Sequence, residues 1–166
     1  MRVERARPGD EAAVRTLLED AASWLTARGI RQWLPGALPE AVITSGIARG
    51  SLFVVRDGGA LAASLDLSEE DPPVWGPSDG TALYLHRLVV ARSHARRGLG
   101  AKLLDWARNQ VRRRGHTRLC LDCVASNAFL RRYYADAGFA ERGLVDLGQV
   151  QLARFEQSVL DYNPPP

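Results

Sequence analysis

The sequence predicts a single α/β (α+β) domain spanning residues 1–166, with a mixed central sheet of about six to seven strands flanked by about four helices. Three observations carry that prediction. Short apolar runs alternate with stretches of helical period in the order β-α-α-β-β-β-α-β-α-β-β. Asp57-Gly58-Gly59 lies between two such runs and reads as a tight hairpin turn. The run ending at Val90 is followed by an Arg-rich link, by Gly98 and Gly100, and then by Leu99, Leu103, Leu104, Ala107 and Val111 at helical spacing. That last stretch is a strand, a glycine turn and a helix.

Each element has its own signal. Val3 to Ala6 alternates as a first strand. Asp10 is placed to cap a helix whose apolar positions are Val14, Leu17, Leu18, Ala21 and Leu25, with a stop near Gly29. Ile30 to Gly36 is a loop carrying Trp33. A second helix runs from about Pro39 to Ala48 and ends at Gly50. Ser51–Arg56 and Ala60–Leu67 are the hairpin strands. Ser68 to Gly80 holds three prolines and four acids, so it reads as loop. Ala82–Val90 is the strand feeding the glycine turn, Gly98–Arg114 the central helix and Thr117–Val124 the next strand. Ser126-Asn127 opens a helix over Ala128–Ala137, which Gly138 ends. Phe139 begins a strand that Val150–Phe155 is placed to pair with, and Pro164–Pro166 reads as a frayed tail.

Composition excludes several classes. With 46% hydrophobic and 25% charged residues, the chain is that of an ordinary globular protein. No apolar run approaches the ~20 residues that span a bilayer, and Met1–Pro8 lacks the apolar centre of a signal peptide. A cytoplasmic protein without membrane contact is expected. Cys120 and Cys123 lie on a strand, three residues apart and so on opposite faces. No second cysteine pair exists and the three histidines are scattered, so no metal is expected. The pI near 9.2 invites a nucleic-acid partner, yet no interleaving of basic and aromatic residues supports one.

Charge instead concentrates around the glycine turn. From Arg87 to Arg118 there are ten Lys or Arg and one acid, Asp105, a net +9; the remaining residues carry 12 bases and 18 acids, a net −6. A helix mouth has main-chain N–H groups without internal partners and partial positive charge. Glycines allow an anion to approach it closely. The glycines alone fit a plain tight turn equally well; the surrounding charge favours a polyanionic ligand such as a diphosphate.

Two motifs resemble those of the GNAT (GCN5-related) N-acetyltransferases. Ala95-Arg96-Arg97-Gly98-Leu99-Gly100 is similar to the family's acyl-CoA diphosphate loop R/Q-x-x-G-x-G/A, with Ala95 in place of the first Arg or Gln. Asn127, Tyr134, Gly138 and Phe139 fall at the offsets of N-x-x-A-x-x-x-Y-x-x-x-G-F, with Leu130 in place of Ala. The resemblance is firm from about Leu83 to Phe139 and looser before it.

The resemblance implies direct acetyl transfer from acetyl-CoA, as cosubstrate, to a small-molecule or peptide amine. It assigns the cofactor to Leu88, Val89 and Val90, on a strand that splays from its neighbour, to Arg96, Arg97, Gly98, Leu99, Gly100 and Ala101 at the loop and helix mouth, and to Asn127 and Tyr134. Tyr134 would protonate the departing thiolate. His86, two residues before Leu88 and on its face by alternation, is the candidate base, with Asp66, Glu69 and Glu70 as acidic competitors. Trp33, Glu69 and Trp75 are candidate acceptor contacts. The alternative is a CoA-binding sensor of the same fold without turnover. A homodimer is left open.

Overall fold

The computed structural model describes residues 2–160, so Pro164–Pro166 lie outside the described residues. Seven strands hydrogen-bond in the order β1-β2-β3-β4-β5-β7-β6: β1 Val3–Arg5, β2 Leu52–Asp57, β3 Ala60–Ser68, β4 Ala82–Val90, β5 Arg118–Val124, β6 Ala140–Asp146 and β7 Gln151–Ser158. The helices are α1 Glu11–Thr26, α2 Glu40–Arg49, α3 Pro72–Trp75, α4 Leu99–Arg113 and α5 Ala128–Asp136. The expected elements are present. The addition is α3, a single turn inside the stretch expected to be loop, with its prolines at the first helical positions where a missing N–H costs nothing. α1 also stops at Thr26, one turn short of Gly29.

Contacts gather the chain into two compact units, one formed by the residues up to Leu67 with Arg87–Gly100, the other by Ser68–His86 with the residues from Ala101 on. In the first, β1, β2 and the greater part of β3 form an antiparallel meander. Its hairpin turns on Gly58 and Gly59, at φ 56° and 88°, the left-handed pair that a two-residue turn of right-handed twist requires. Val14, Leu17 and Leu18 of α1 and Ile43 of α2 pack with Leu52, Val54 and Val89. Asp10 stands at the start of α1, but its carboxylate does not cap the helix. It accepts from the Arg7 N–H at 2.8 Å and from the Arg56 guanidinium at 2.7 Å. Arg56, which also donates to Glu4 at 2.8 Å, thereby ties β2 to β1 and to the start of α1.

In the second unit, β4 runs parallel to β5 over four rungs, from Ala82↔Arg118 to Leu85↔Leu121. β7 pairs antiparallel with β5 and carries β6 on its other side. α4 buries Leu103, Leu104, Ala107 and Val111, the face that its sequence period predicts. It also buries Arg108, 3% exposed. Each of its three nitrogens is partnered: it donates to Gln157 at 2.7 Å, to Asp105 at 2.6 Å and to the Ala137 carbonyl at 2.7 Å. A buried charge is tolerable only when so partnered.

Candidate active site

In the first unit, the candidate residues lie on the chain leaving β4. Arg87 has φ 50°, a left-handed residue inside a strand. It breaks the alternation that placed His86 on the face of Leu88, so that inference from period two does not hold here. Beyond it, Val89 is buried while Leu88 and Val90 are half-buried. The Ala91 N–H donates to the Ala62 carbonyl at 2.8 Å, and a 3₁₀ turn, Arg92–His94, follows. His94 is pinned by Asp57 and by Ser93, both at 2.9 Å. The Arg92 guanidinium lies 3.8 Å from the centre of the Trp24 ring, with Arg28 at 4.0 Å from the same ring.

The loop then takes two left-handed residues, Arg96 at φ 62° and Gly98 at φ 75°, before α4 begins at Leu99. Arg96, Arg97 and Gly98 are exposed, and nothing lies within 4 Å of the position that a Cβ on Gly98 would take. Left-handed residues in such a turn set successive N–H groups into a concave anion nest, and the N–H groups at the mouth of α4 have no partner within the helix. Arginines surround the loop and no acid interrupts it from Arg92 to Gly100. These residues fit a diphosphate.

Two acidic or aromatic candidates of this unit are placed differently. Asp66 is 1% exposed and accepts from the Arg87 guanidinium at 2.7 Å, so it is a buried ion-pair partner and not a competitor for the role of base. Trp33 is half-buried against the core of this unit and lines a cavity.

In the second unit, Tyr134 of α5 is 7% exposed. Its ring meets Tyr133, Phe139 and Phe155 with centroids 5.6, 6.1 and 5.7 Å away. Burial pushes its phenol well above the usual range, and the nearby Cys123 and Asp122 push the same way. It therefore stays protonated at neutral pH. Asn127 is buried and its side-chain oxygen accepts the Leu130 N–H at 3.1 Å, capping α5; of its two expected roles, the structure displays the cap. Cys120 and Cys123 are buried free thiols, both pushed up to about 12 by burial, so neither is a ready thiolate.

His86 is half-buried with its Nε2 3.0 Å from the Ser68 hydroxyl. That hydroxyl donates to the Glu70 carbonyl at 3.0 Å. Ser68 Oγ is thus the acceptor and Nε2–H the donor. Beside His86 stand Asp71 and Asp122, one donor atom from each of the three lying within 4.8 Å of the others. The register explains the meeting. The last parallel rung is Leu85↔Leu121, and His86 and Asp122 are the next residues on each strand, where pairing has ended. One imidazole nitrogen with two carboxylate oxygens is also a donor set suited to a divalent cation, which scattered histidines in the sequence gave no reason to expect.

The sequence gives Asp122 no role and gives Asp71 only a place in an acidic loop; the structure adds both to the surroundings of His86. A signal for Asp122 existed: it is the one charged residue between Leu119 and Val124 on an otherwise apolar strand. Of the remaining candidates, Glu69 is exposed and 3.8 Å from Arg114, and Trp75 packs on Tyr84 and Cys120 beside Arg154.

Comparison with known proteins identifies the family and the fold. Residues 18–139 match the model of the acetyltransferase (GNAT) family. The chain is 37% identical over 142 residues to the uncharacterized N-acetyltransferase YesJ of Bacillus subtilis (strain 168), covering 81% of this chain and 78% of that one. Its fold is similar to that of a GNAT-family acetyltransferase from Listeria monocytogenes 4b F2365, with TM-score 0.78 and 24% identity over 95% of this chain and 94% of the other. It is also similar to yncA of Salmonella typhimurium, solved with its cofactor acetyl-CoA, with TM-score 0.69 and 19% identity over 100% and 98%. No helix among the described residues is long and apolar enough to cross a membrane.

Proposed function

The chain belongs to the acetyltransferase (GNAT) family, whose cosubstrate is acetyl-CoA, and on that premise we propose that it acetylates a primary amine, on a small molecule or peptide, by direct transfer in the cytoplasm. The observation that carries this reading is the loop from Arg92 to Gly100, with left-handed Arg96 and Gly98 opening onto the mouth of α4. In this reading the amides of Arg96 to Ala101 hold the cofactor's diphosphate, and the main chain of Leu88–Val90 pairs with its pantetheine arm. A main-chain N–H of that segment also polarises the carbonyl under attack. The cosubstrate supplies an acetyl group activated as a thioester.

His86 accepts the proton that the amine must lose. Asp71 and Asp122 favour the imidazolium that results, since an opposite charge within a few ångströms stabilises the charged form. Tyr134 donates a proton to the sulfur as negative charge builds there. Its raised phenol keeps it in the donating form. An acceptor that arrives as an ammonium gives up two protons in becoming the amide: one balances the proton that Tyr134 gives the sulfur and restores the phenol, and the other passes from His86 to solvent.

The test is thiol release from acetyl-CoA in the presence of amines, amino acids and peptides, with CoA binding measured by calorimetry. Release that depends on an amine supports the reading. Tight CoA binding with no release from any acceptor would instead support a sensor of the same fold.

A further inference from the structure

We propose that the cavity between α1 and the loop after it seats an apolar group, about as large as a phenyl ring, on the acceptor amine. This rests on the acetyl-transfer reading and names the class of substrate. Leu18 and Ala22 of α1 form one wall; Trp33, Leu34 and Leu38 of the loop form the other. The volume is about 130 Å³, close to that of an engineered apolar cavity of ~150 Å³ that stays dry and takes up benzene. Leu34 is 55% exposed, an apolar side chain at the lip that gains cover when the cavity fills.

Two charged residues bound the cavity, and both are fixed. Glu19 holds the loop by accepting the Gly36 N–H at 2.8 Å. Arg87 is held by Asp66 at 2.7 Å. One acid and one base at the rim admit a single ammonium beside Glu19 and disfavour a polycation, which would meet Arg87. The position along the chain links the cavity to the chemistry. Arg87 lines it, and Arg87 is joined directly to Leu88–Val90, the segment assigned to pantetheine, with consecutive Cα atoms ~3.8 Å apart. An amine whose apolar end fills the cavity thus lies against the residue that leads into that strand, and its nitrogen is assigned to the strand side.

The experiment compares 2-phenylethylamine, ethylamine and spermidine in the thiol-release assay. It also measures binding of 2-phenylethylamine by calorimetry to the protein with CoA present. The expected result is a KM for 2-phenylethylamine at least tenfold below that for ethylamine, with spermidine the poorest of the three. Leu34→Glu, at an exposed position, is expected to collapse that ratio toward one, as is Ala22→Leu, which fills the cavity from within; the KM for acetyl-CoA stays within twofold in both. Turnover without preference for the phenyl group, or a ratio that neither variant moves, overturns the cavity assignment and leaves acetyl transfer standing. Binding of 2-phenylethylamine that Leu34→Glu weakens, with no thiol release from it or from any amine, amino acid or peptide of the wider panel, upholds the cavity and overturns acetyl transfer in favour of the sensor. Failure of 2-phenylethylamine to bind at all overturns the cavity assignment.

Discussion

The loop leading into α4 and the side chains around Tyr134 are assigned to one reaction but are built by opposite means. The loop is exposed, and what it offers is main chain: Arg96 and Gly98 in left-handed conformation and the open amides of a helix mouth. The second unit offers side chains instead: a buried phenol among aromatic rings at Tyr134, and a half-buried imidazole beside two carboxylates, Asp122 where β5 has parted from β4 and Asp71 at the start of α3. Backbone geometry tolerates changes in side-chain identity and not in φ. Buried side chains tolerate the reverse.

The contrast is tested most severely at Tyr134. Tyr134→Phe keeps the ring packing and removes only the proton donor, so kcat is expected to fall about a hundredfold or more, the range of general acid catalysis. CoA affinity, measured by calorimetry, is expected to stay within twofold. A variant that turns over at the wild-type rate would remove Tyr134 from the mechanism.

Gly98→Val attacks the loop in the complementary way. A β-branched residue at φ 75° costs about 1–3 kcal/mol, so CoA binding is expected to weaken about tenfold to a hundredfold. The value of kcat at saturating acetyl-CoA should change far less, because the rings packed on Tyr134 are unchanged. Equal losses in both would merge the two regions into one.

Titration separates them as well. The thiols of Cys120 and Cys123 ionise near their ordinary value when unfolded but are pushed up to about 12 in the fold, and Tyr134 is raised too. Protons stay bound to the native state while the unfolded chain loses them. Stability is therefore full below about pH 9 and falls as pH rises toward 12, by up to about 1.4 kcal/mol per pH unit for each such group. Urea midpoints from pH 8 to 11 measure this. Cys120→Ala is expected to flatten the slope, and loop substitutions are not.

Asp122→Asn removes one negative charge beside His86 while Ser68 and Asp71 remain. The acidic limb of kcat/KM is expected to move to lower pH, with a loss of about tenfold at its plateau, equivalent to ~1.4 kcal/mol. An unmoved limb would make Asp122 a structural residue. Arg96→Gly is the mildest test. It keeps the left-handed backbone, relieves its strain and discards one charge, so CoA affinity is expected to fall no more than about threefold, and less at high salt, as screening of an exposed charge requires.

Legibility in the sequence followed the same divide. The glycine loop was visible because its turn is local backbone, and local backbone is written in Gly98, Gly100 and the period of α4. Tyr134 and Asn127 were visible through their spacing. Asp71 was hidden in a proline-rich stretch that reads as loop, and its neighbour α3 was missed with it. His86 was singled out, but the alternation argument failed at Arg87, because a left-handed residue in mid-strand leaves no mark in the pattern of apolar positions. The sequence likewise gives no sign of the two guanidiniums that the structure sets against the Trp24 ring.

What the chain determines by itself is what depends on neighbours within a few residues: element order, the helix and strand periods, the hairpin at Gly58-Gly59 and the glycine turn before α4. What only the tertiary structure decided is which distant residues share a site. The meeting of His86, Asp71 and Asp122 requires the register of β4 against β5, and the cavity at Trp33 requires the loop after α1 to fold back over Leu18 and Ala22. Both are set by burial and pairing between segments remote in sequence, and such non-local contacts leave no local signature.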